Sequence, residues 1–599
     1  MAPTLCGIVG VVSAEREVPS LLYRSLRKLE YRGYDSVGIA TIGSAVKVIK
    51  RVGGVNEIEN LMQGLGGKTG IGHTRWATHG EVNERNAHPH FDCTGKIAVV
   101  HNGIIENFSE IREFLSERGH TLISETDTEV IAHLIEDELS SGLNLLESVR
   151  RALLKLKGSY AIAVIYEEEP SKIVCARKES PLLIGIGNGE NYCSSDYVAL
   201  LPYTKEFIVL NDGEMAEITP HSCKVFRIDT GEEVKKEKTI MDWKPEQARR
   251  NGYEHFMLKE IMEQPMVISN SLRIPRKELK EAVDVIASSE YIYVVGAGSS
   301  YHASLGMEYL LTNLGGMRAK AIISSEFENY SPRGLEDSAV LCVTQSGETA
   351  DTLKAAKISK RRGATVLAMT NLVGSSITRI SDHTIYMRAG PEVGVAATKT
   401  FTTQLALMSL LSIEVSYNRG EITNSERTEL EVELRSIPRK TSSLLKGLKD
   451  LRNLSRRLID RKSFYFLGTS IGLVTALEGA LKLKEIAYVH AEGYPMGESK
   501  HGPIALVEDG FPVIVVDHGD EKERIEYGVM EMASRGAEIV VVSPREIKGE
   551  SLIKTPEVSP ILSPVIQVVP LQLFAYYSAV ERGLNPDRPR NLAKSVTVL

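Results

Sequence analysis

The chain has 599 residues, a mass of 66.0 kDa and a formal net charge of −7, from 71 Lys+Arg against 78 Asp+Glu. At roughly 150 residues per domain, this length leaves room for about four domain-sized units. Hydrophobic residues at 42% and charged residues at 25% fit well-packed cores and exclude a disordered chain. The acidic balance excludes a nucleic-acid footprint or a basic membrane-surface protein. Six cysteines with no CxxC pair exclude a disulfide scaffold and fit a reducing compartment, so a cytoplasmic location is expected. No apolar run approaches the ~20 residues that span a bilayer; the longest, such as 405–413, is interrupted by Ser. No charged segment followed by an apolar stretch opens the chain, and no membrane association is expected.

Residues 6–240 read as short strands, at 7–12, 97–101, 160–166 and 207–210, broken by Gly, Asn and Asp turns. Helical stretches at 18–30 and 128–139 interrupt them. That mixture predicts an α+β domain with antiparallel sheets. Residues 241–284 open polar and charged and are read as a linker. Beyond them, strands and helices alternate in βα order, the pattern of a parallel sheet covered by helices. This half also repeats. The strand ending at Gly468 follows the one ending at Gly296 by 172 positions, and the helix opened by Gln572 follows that of Gln404 by 168. Strand 339–343 has its counterpart at 512–516. A nearly constant offset implies two copies of one α/β domain, at 285–425 and 455–589, and then a tail at 590–599.

In the first copy, strand 340–343 runs into Thr344-Gln-Ser-Gly-Glu-Thr349, ahead of a helix at 350–360. Outward-pointing backbone N–H groups and the helix dipole at such a turn favour an anion. A second loop, Gly296-Ala-Gly-Ser-Ser300, stands at another strand end, where open α/β sheets bind ligands. A single serine here could simply cap a helix. Two hydroxyl-rich loops in one domain point instead to a phosphate cradle. The equivalent loop of the second copy, Asp517-His-Gly-Asp-Glu521, carries acids that would repel phosphate, so one cradle per chain is expected. The Gly296 loop is not a dinucleotide fingerprint, because Tyr301 replaces the third glycine and no acid follows at about 20 residues. No cofactor is expected.

Lys482 and Glu485 lie three apart on a helix read at 474–488, and His501 follows in a glycine-rich loop. Lys594 sits in the tail. Taken alone, a Lys–Glu pair at this spacing reads as a surface ion pair. As a set, these types suit carbonyl-sugar chemistry: an amine for an imine, a carboxylate to move a proton, an imidazole to open a ring.

Cys6 opens the first strand. As a free N-terminal residue it would carry an amine base beside its thiol nucleophile; taken alone, it reads as a buried strand cysteine. Arg75 in Gly72-His-Thr-Arg-Trp-Ala-Thr-His79 could grip a carboxylate. Asn102 and Gly103 could form an oxyanion hole, and the segment Glu125-Thr-Asp127 could hold an ammonium group. His73, His79, His88, His90 and His101 cluster in sequence, but without a recognisable ligand spacing, so no metal is expected.

Together, CGIVG, YRGYDS, HTRWATHG, HNGIIEN, SETDTEV, TQSGET, EGALKLKE, KHGP and RNLAKSVTV closely resemble the glutamine–fructose-6-phosphate aminotransferase family, over nearly the whole chain. The first five would fit several N-terminal-nucleophile amidotransferases; the last four narrow the match. The resemblance implies a multi-domain protein. An αββα N-terminal-nucleophile glutaminase domain at 6–240 would precede two α/β sugar-isomerase (SIS) domains. It implies that L-glutamine and D-fructose 6-phosphate become L-glutamate and D-glucosamine 6-phosphate, the first step of amino-sugar synthesis.

By the same resemblance, Cys6 is the glutaminase nucleophile and Asn102 and Gly103 form the oxyanion hole. Arg75, His79 and Asp127 hold glutamine, and Trp76 gates an ammonia channel. Ser300, Thr344, Gln345, Ser346 and Thr349 cradle the sugar phosphate, with backbone contacts from Val395 and Ala593. Glu485 is the isomerising base, with Lys482 beside it. His501 opens the sugar ring in a neighbouring subunit, and Lys594 forms the imine. A homodimer or higher homo-oligomer is implied.

The chain departs from the pattern in three places. Met1–Leu5 precede Cys6, which the family places directly after the initiator Met, and the self-base chemistry requires their removal. Thr344 stands for a usual Ser and Ser299 for a usual Thr; both keep a hydroxyl. The competing readings are an ammonia-dependent enzyme with a blocked glutaminase half, and a non-catalytic sugar-phosphate sensor.

Overall fold

A computed structural model describes residues 6–76, 80–241, 243, 245–448 and 450–596. The chain forms two compact units. One holds the residues through Ala248 together with the tail from Ala593; the other runs Arg249–Leu592.

Among the described residues of the first unit, one eight-stranded and one seven-stranded sheet form, and their pairings are antiparallel. Strands Ile97–Ile105 and Gly158–Tyr166 show how the layers arise. Successive side chains along a strand point to opposite faces. Ala98, Val100, Ala161 and Ala163 enter the core shared with Ile8, Val12, Ala40 and Ile71 of the other sheet. Ile97, Val99, Ile162 and Val164 enter a second core. That core is closed by helices Phe108–Glu117, Glu129–Leu139 and Leu145–Leu154. On the far side of the first sheet lies helix Pro19–Leu29, seated on glycines. A Cβ at Gly7, Gly70 or Gly72 would come within 2.8, 2.8 and 2.9 Å of Leu29, Leu22 and Leu26. The result is the αββα layering that the sequence resemblance implies.

The second unit contains two five-stranded parallel sheets of the same strand order. In the first, the order is Arg318–Ile323, Tyr291–Gly296, Ser338–Val343, Thr365–Thr370, His383–Tyr386. In the second it is His490–Pro495, Ser463–Gly468, Pro512–Val516, Glu538–Ser543, Ser551–Lys554. The strands paired by the sequence repeat, 291–296 with 463–468 and 338–343 with 512–516, occupy matching positions. The inner strands of each sheet are buried on both faces, and one face of each sheet feeds a single common core. Val294, Leu341 and Leu367 share it with Phe466, Ile514 and Val540, packed around helices Lys399–Asn418 and Ser563–Glu581.

Two readings change in the light of the structure. Much of the segment read as linker is helical: Phe256–Ser271 and Arg276–Ser288 bury Met257, Ile261, Ala282 and Ile286 in the common core. The polar residues at 242–251 had concealed the apolar faces that follow. Helix Pro560–Glu581 is also long and apolar enough to meet the length and composition of a membrane span, with an 18-residue window of mean hydropathy 1.3, although 89% of that window is buried inside the protein. Gln567, Gln572, Pro564 and Pro570 break its apolar run in the sequence.

A shared core makes the two copies one cooperative body. Phe574→Ala, which empties a buried position in it, should cost about 3–5 kcal/mol. Hydrogen exchange should then accelerate together in strands 291–296 and 512–516; acceleration confined to the second copy would refute a common core.

Candidate active sites

In the first unit, strand Gly7–Ser13 pairs with Thr69–Arg75 so that Gly7 faces Thr74. This places buried Cys6 against the end of the neighbouring strand. The Trp76 backbone N–H donates to Cys6 Sγ at 3.2 Å. The Cys6 carbonyl accepts from Asn102 Nδ2 at 2.8 Å and from Arg32 Nε at 3.2 Å. Asn102 belongs to the other sheet, so the nucleophile candidate sits where the two sheets meet. Burial pushes the Cys6 thiol up to about 11, against smaller opposing effects from the Trp76 hydrogen bond, Arg75 and Arg32. The thiol is therefore neutral near pH 7, and attack on an amide requires a base.

Arg75 is 3% exposed. Burial weakens its hold on the proton, and the nearby Cys6, Asp35 and Asp127 partly restore it. Its guanidinium also donates to the Gly80 and Glu81 carbonyls at 3.3 Å. Asp127 is buried, and its Oδ2 accepts the Ile105 N–H at 2.8 Å. Gly103 has φ +130°, and a Cβ there would meet the Ser159 carbonyl oxygen at 2.2 Å. The Trp76 ring packs edge-on to Tyr34, centroids 5.1 Å apart. Cys6, Arg75, Trp76, Asn102, Gly103 and Asp127 thus fall in one region. His79 lies outside the described residues, as do Met1–Leu5.

His73 was considered in the sequence only as part of a histidine cluster. Its Nε2 lies 3.0 Å from both Asn102 Oδ1 and the His101 carbonyl, and both are acceptors, so Nε2 carries the proton. Burial drops its pKa to about 3, so the ring is neutral. Holding Oδ1 fixes which way the Asn102 amide faces, and that way is toward Cys6. His88 stacks on His73 with centroids 4.0 Å apart, and His90 and His101 hydrogen-bond to Thr126 and Thr128.

In the second unit, the cradle loop closes on itself. Thr344 and Thr349 share a hydroxyl–hydroxyl bond of 2.9 Å, and the Gly347 N–H donates to Thr344 Oγ1 at 3.2 Å. The Glu348 N–H donates to Ser346 Oγ at 3.1 Å. Thr349 occupies the N-cap of helix Ala350–Arg361 but makes no side-chain cap bond. The Gln345 carbonyl accepts from the Asn371 N–H at 3.1 Å. Ser300 Oγ, in the other loop, accepts from Gln404 Nε2 at 3.1 Å.

Val395 lies in a loop held by two buried carboxylates. Glu260 accepts the N–H groups of Val393 and Gly394 at 2.6 and 3.2 Å, and Glu392 accepts those of Thr398 and Thr400 at 3.0 and 3.1 Å. Glu260 comes from the stretch read as linker, which is why its part was not visible in the sequence. In the second copy, the position equivalent to the cradle is filled from within. Arg545 grips buried Asp517 through two bonds of 2.8 Å, and Ser543 adds a third at 2.7 Å.

Lys482 is no surface residue. Its side chain is 0% exposed, 2.5 Å from Glu485 and 3.3 Å from Glu478. Burial opposes its charge, but the two carboxylates outweigh that and hold its pKa above the ordinary lysine value. Glu478 in turn accepts from Ser299 at 2.8 Å and lies 2.8 Å from His302 Nδ1, while Lys482 donates to Ser299 at 3.1 Å. The network therefore joins helix Gly472–Ala487 of the second copy to helix Ser299–Asn313 of the first. Glu478, Ser299 and His302 were not singled out as site residues, although Glu478 stands in the EGALKLKE run, one turn before Lys482. Glu485 keeps 21% side-chain exposure, with the fully buried Lys482 ammonium 2.5 Å behind it. His501 is exposed, at the end of the short helix Glu498–His501. Ala593 and Lys594 belong to the first unit rather than to the unit that holds the 344–349 loop.

Both units match known families. The glutamine amidotransferase domain family matches residues 73–202, and the SIS domain family matches 285–413 and 457–582. The chain is 48% identical to glutamine–fructose-6-phosphate aminotransferase (isomerizing) of Thermococcus kodakarensis, over 99% of this chain and 100% of the relative. It is 44% identical to that of Thermotoga maritima, with the same coverage. A solved structure, the C-terminal domain of glucosamine-fructose-6-phosphate aminotransferase from Francisella tularensis, covers 57% of this chain and 100% of its own at TM-score 0.54 and 31% identity. The chain belongs to the isomerizing glutamine–fructose-6-phosphate aminotransferase family.

Proposed function

We propose that this enzyme converts D-fructose 6-phosphate and L-glutamine to D-glucosamine 6-phosphate and L-glutamate. The observation that carries the reading is the 48% identity to a named aminotransferase along the full chain, spanning both kinds of domain.

In the glutaminase half, Arg75 and His79 hold the substrate carboxylate and Asp127 its ammonium group. Cys6 Sγ attacks the side-chain amide, the C–N bond breaks, and ammonia leaves a thioester that water cleaves to glutamate. Asn102 Nδ2 and the Gly103 N–H stabilise the negative oxygen of the tetrahedral intermediate, with His73 fixing Asn102. The neutral Cys6 thiol needs a base, and its own α-amine fills that role once residues 1–5 are removed. Trp76 gates the ammonia path. Free ammonia in water near neutral pH is mostly ammonium, which is no nucleophile, so a closed route preserves reactivity.

In the sugar half, Ser300, Thr344, Gln345, Ser346 and Thr349 hold the phosphate, and the backbones of Val395 and Ala593 orient the sugar. His501 opens the ring; its exposure suits a residue that completes the site of a neighbouring subunit in a homodimer or larger assembly. Lys594 forms an imine with the C2 ketone and releases water. Ammonia displaces Lys594 at C2, and Glu485, held by Lys482, moves a proton from C1 to C2. The cytoplasm, a reducing compartment, is the site of action that suits the unpaired cysteines.

Cys6→Ala is expected to lower glutamine-dependent synthesis by more than about 1,000-fold, as loss of a catalytic nucleophile does, and to leave ammonium-supported amination measurable. Retained glutamine use would remove Cys6 from the mechanism. Lys594→Ala is expected to abolish sugar conversion while glutamate release continues. If amination survived that change, the imine role would be wrong.

A further inference from the structure

Four side chains of the first unit converge away from the Cys6 region. Cys93 lies in the turn between strands His90–Phe91 and Ile97–Ile105. His120 follows helix Phe108–Glu117, and His133 and Glu136 stand three apart on helix Glu129–Leu139. One ligand atom from each lies within 4.8 Å of all the others. Cys93 Sγ is 3.7 Å from His120 Nδ1 and 3.5 Å from His133 Nδ1. Glu136 Oε2 is 2.9 Å from His120 Nδ1 and 3.1 Å from His133 Nδ1.

These separations fit a tetrahedral ion. With Zn–S about 2.3 Å and Zn–N and Zn–O about 2.0–2.1 Å, sulfur and nitrogen stand about 3.5 Å apart, and nitrogen and oxygen about 3.3 Å. Sulfur already sits at that spacing, and the carboxylate needs to withdraw by only a few tenths of an ångström. One thiolate, two imidazoles and one carboxylate form a donor set of borderline softness that suits zinc over magnesium or calcium.

The far side of each ring supports the same reading. His133 Nε2 lies 3.8 Å from Glu129 Oε1, and His120 Nε2 lies 3.8 Å from Asp137 Oδ1. If each Nδ1–H simply donated to Glu136, a neutral ring would turn a bare Nε2 lone pair toward a carboxylate. His133 Nε2 is buried and has no hydrogen-bond partner in that arrangement. With Nδ1 on a metal, the proton moves to Nε2 and faces the carboxylate, the outer-shell pattern of histidine metal ligands. The alternative is a pair of imidazoliums with no metal.

We propose that Cys93, His120, His133 and Glu136 form a structural zinc site. It would pin the 92–97 turn and the segment after His120 to helix Glu129–Leu139. That segment carries Asp127, so the ion would brace the wall that holds the glutamine ammonium group without touching the reaction.

The test uses full-length protein stripped with a chelator and then titrated with Zn²⁺ or Co²⁺. One zinc per chain is expected, with a rise in Tm. Co²⁺ should give the strong visible bands of a tetrahedral site and a thiolate charge-transfer band. Cys6→Ser should bind as the parent does. Cys93→Ser and His120→Ala should each weaken binding by more than about 100-fold, beyond the 10–100-fold cost of losing an outer-shell partner. Absence of stoichiometric zinc, an octahedral cobalt spectrum, or undiminished binding by Cys93→Ser would each overturn the site; the first would also leave the imidazolium pair as the explanation. Loss of binding in Cys6→Ser alone would move the metal to the glutaminase pocket. None of these outcomes depends on turnover, so the site stands or falls separately from the proposed reaction.

Discussion

The buried Lys482 ammonium is the constraint around which the second unit is organised. A charge with no exposure cannot persist without partners, and removing one partner from a buried ion pair typically costs about 3–5 kcal/mol. Glu478 and Glu485 supply the compensation. Because Glu478 also engages Ser299 and His302, the compensation reaches across to the first copy. The two copies therefore cannot separate without stranding charges, just as they cannot separate without opening their common core. The carboxylate proposed to move the proton is positioned by this same network.

Duplication explains the rest of the unit. Two copies of one sheet order present two equivalent strand-end loops, and each must satisfy its backbone groups. The first copy does so with hydroxyls, which can also bond a phosphate. The second does so with an Asp517–Arg545 pair, which occupies its own loop. The first unit shows a similar economy. Cys6 sits at the seam of two sheets, so that Asn102 from one can reach it from the other. Glycines at 7, 70 and 72 let a helix press on the strands that carry Cys6 and Arg75.

Much of this was legible in the sequence, because hydrophobic period and repeat offset are local signals. The matching strands of the two copies, the 344–349 loop and the Cys6 region could all be found from short motifs. What stayed hidden depended on long-range packing. Taken alone, Lys482 and Glu485 read as a surface pair, because spacing on a helix does not say which face is buried. His73 was one histidine among several until the structure tied it to Asn102. Glu260 sat in a stretch whose polar opening suggested a linker, and the Cys93 cluster draws on a turn, a helix end and a helix face with no common spacing. The apolar helix Pro560–Glu581 was missed as a continuous run because buried glutamines interrupt it.

One chain is proposed to join two chemistries by handing ammonia directly from glutamine to sugar. The most direct measurement uses glutamine labelled with ¹⁵N in the side-chain amide, fructose 6-phosphate and a large excess of unlabelled ammonium, with the isotope content of the amino sugar read by mass spectrometry. Direct transfer predicts product carrying the glutamine label almost undiluted. Product with the isotope ratio of the bulk ammonium would contradict it.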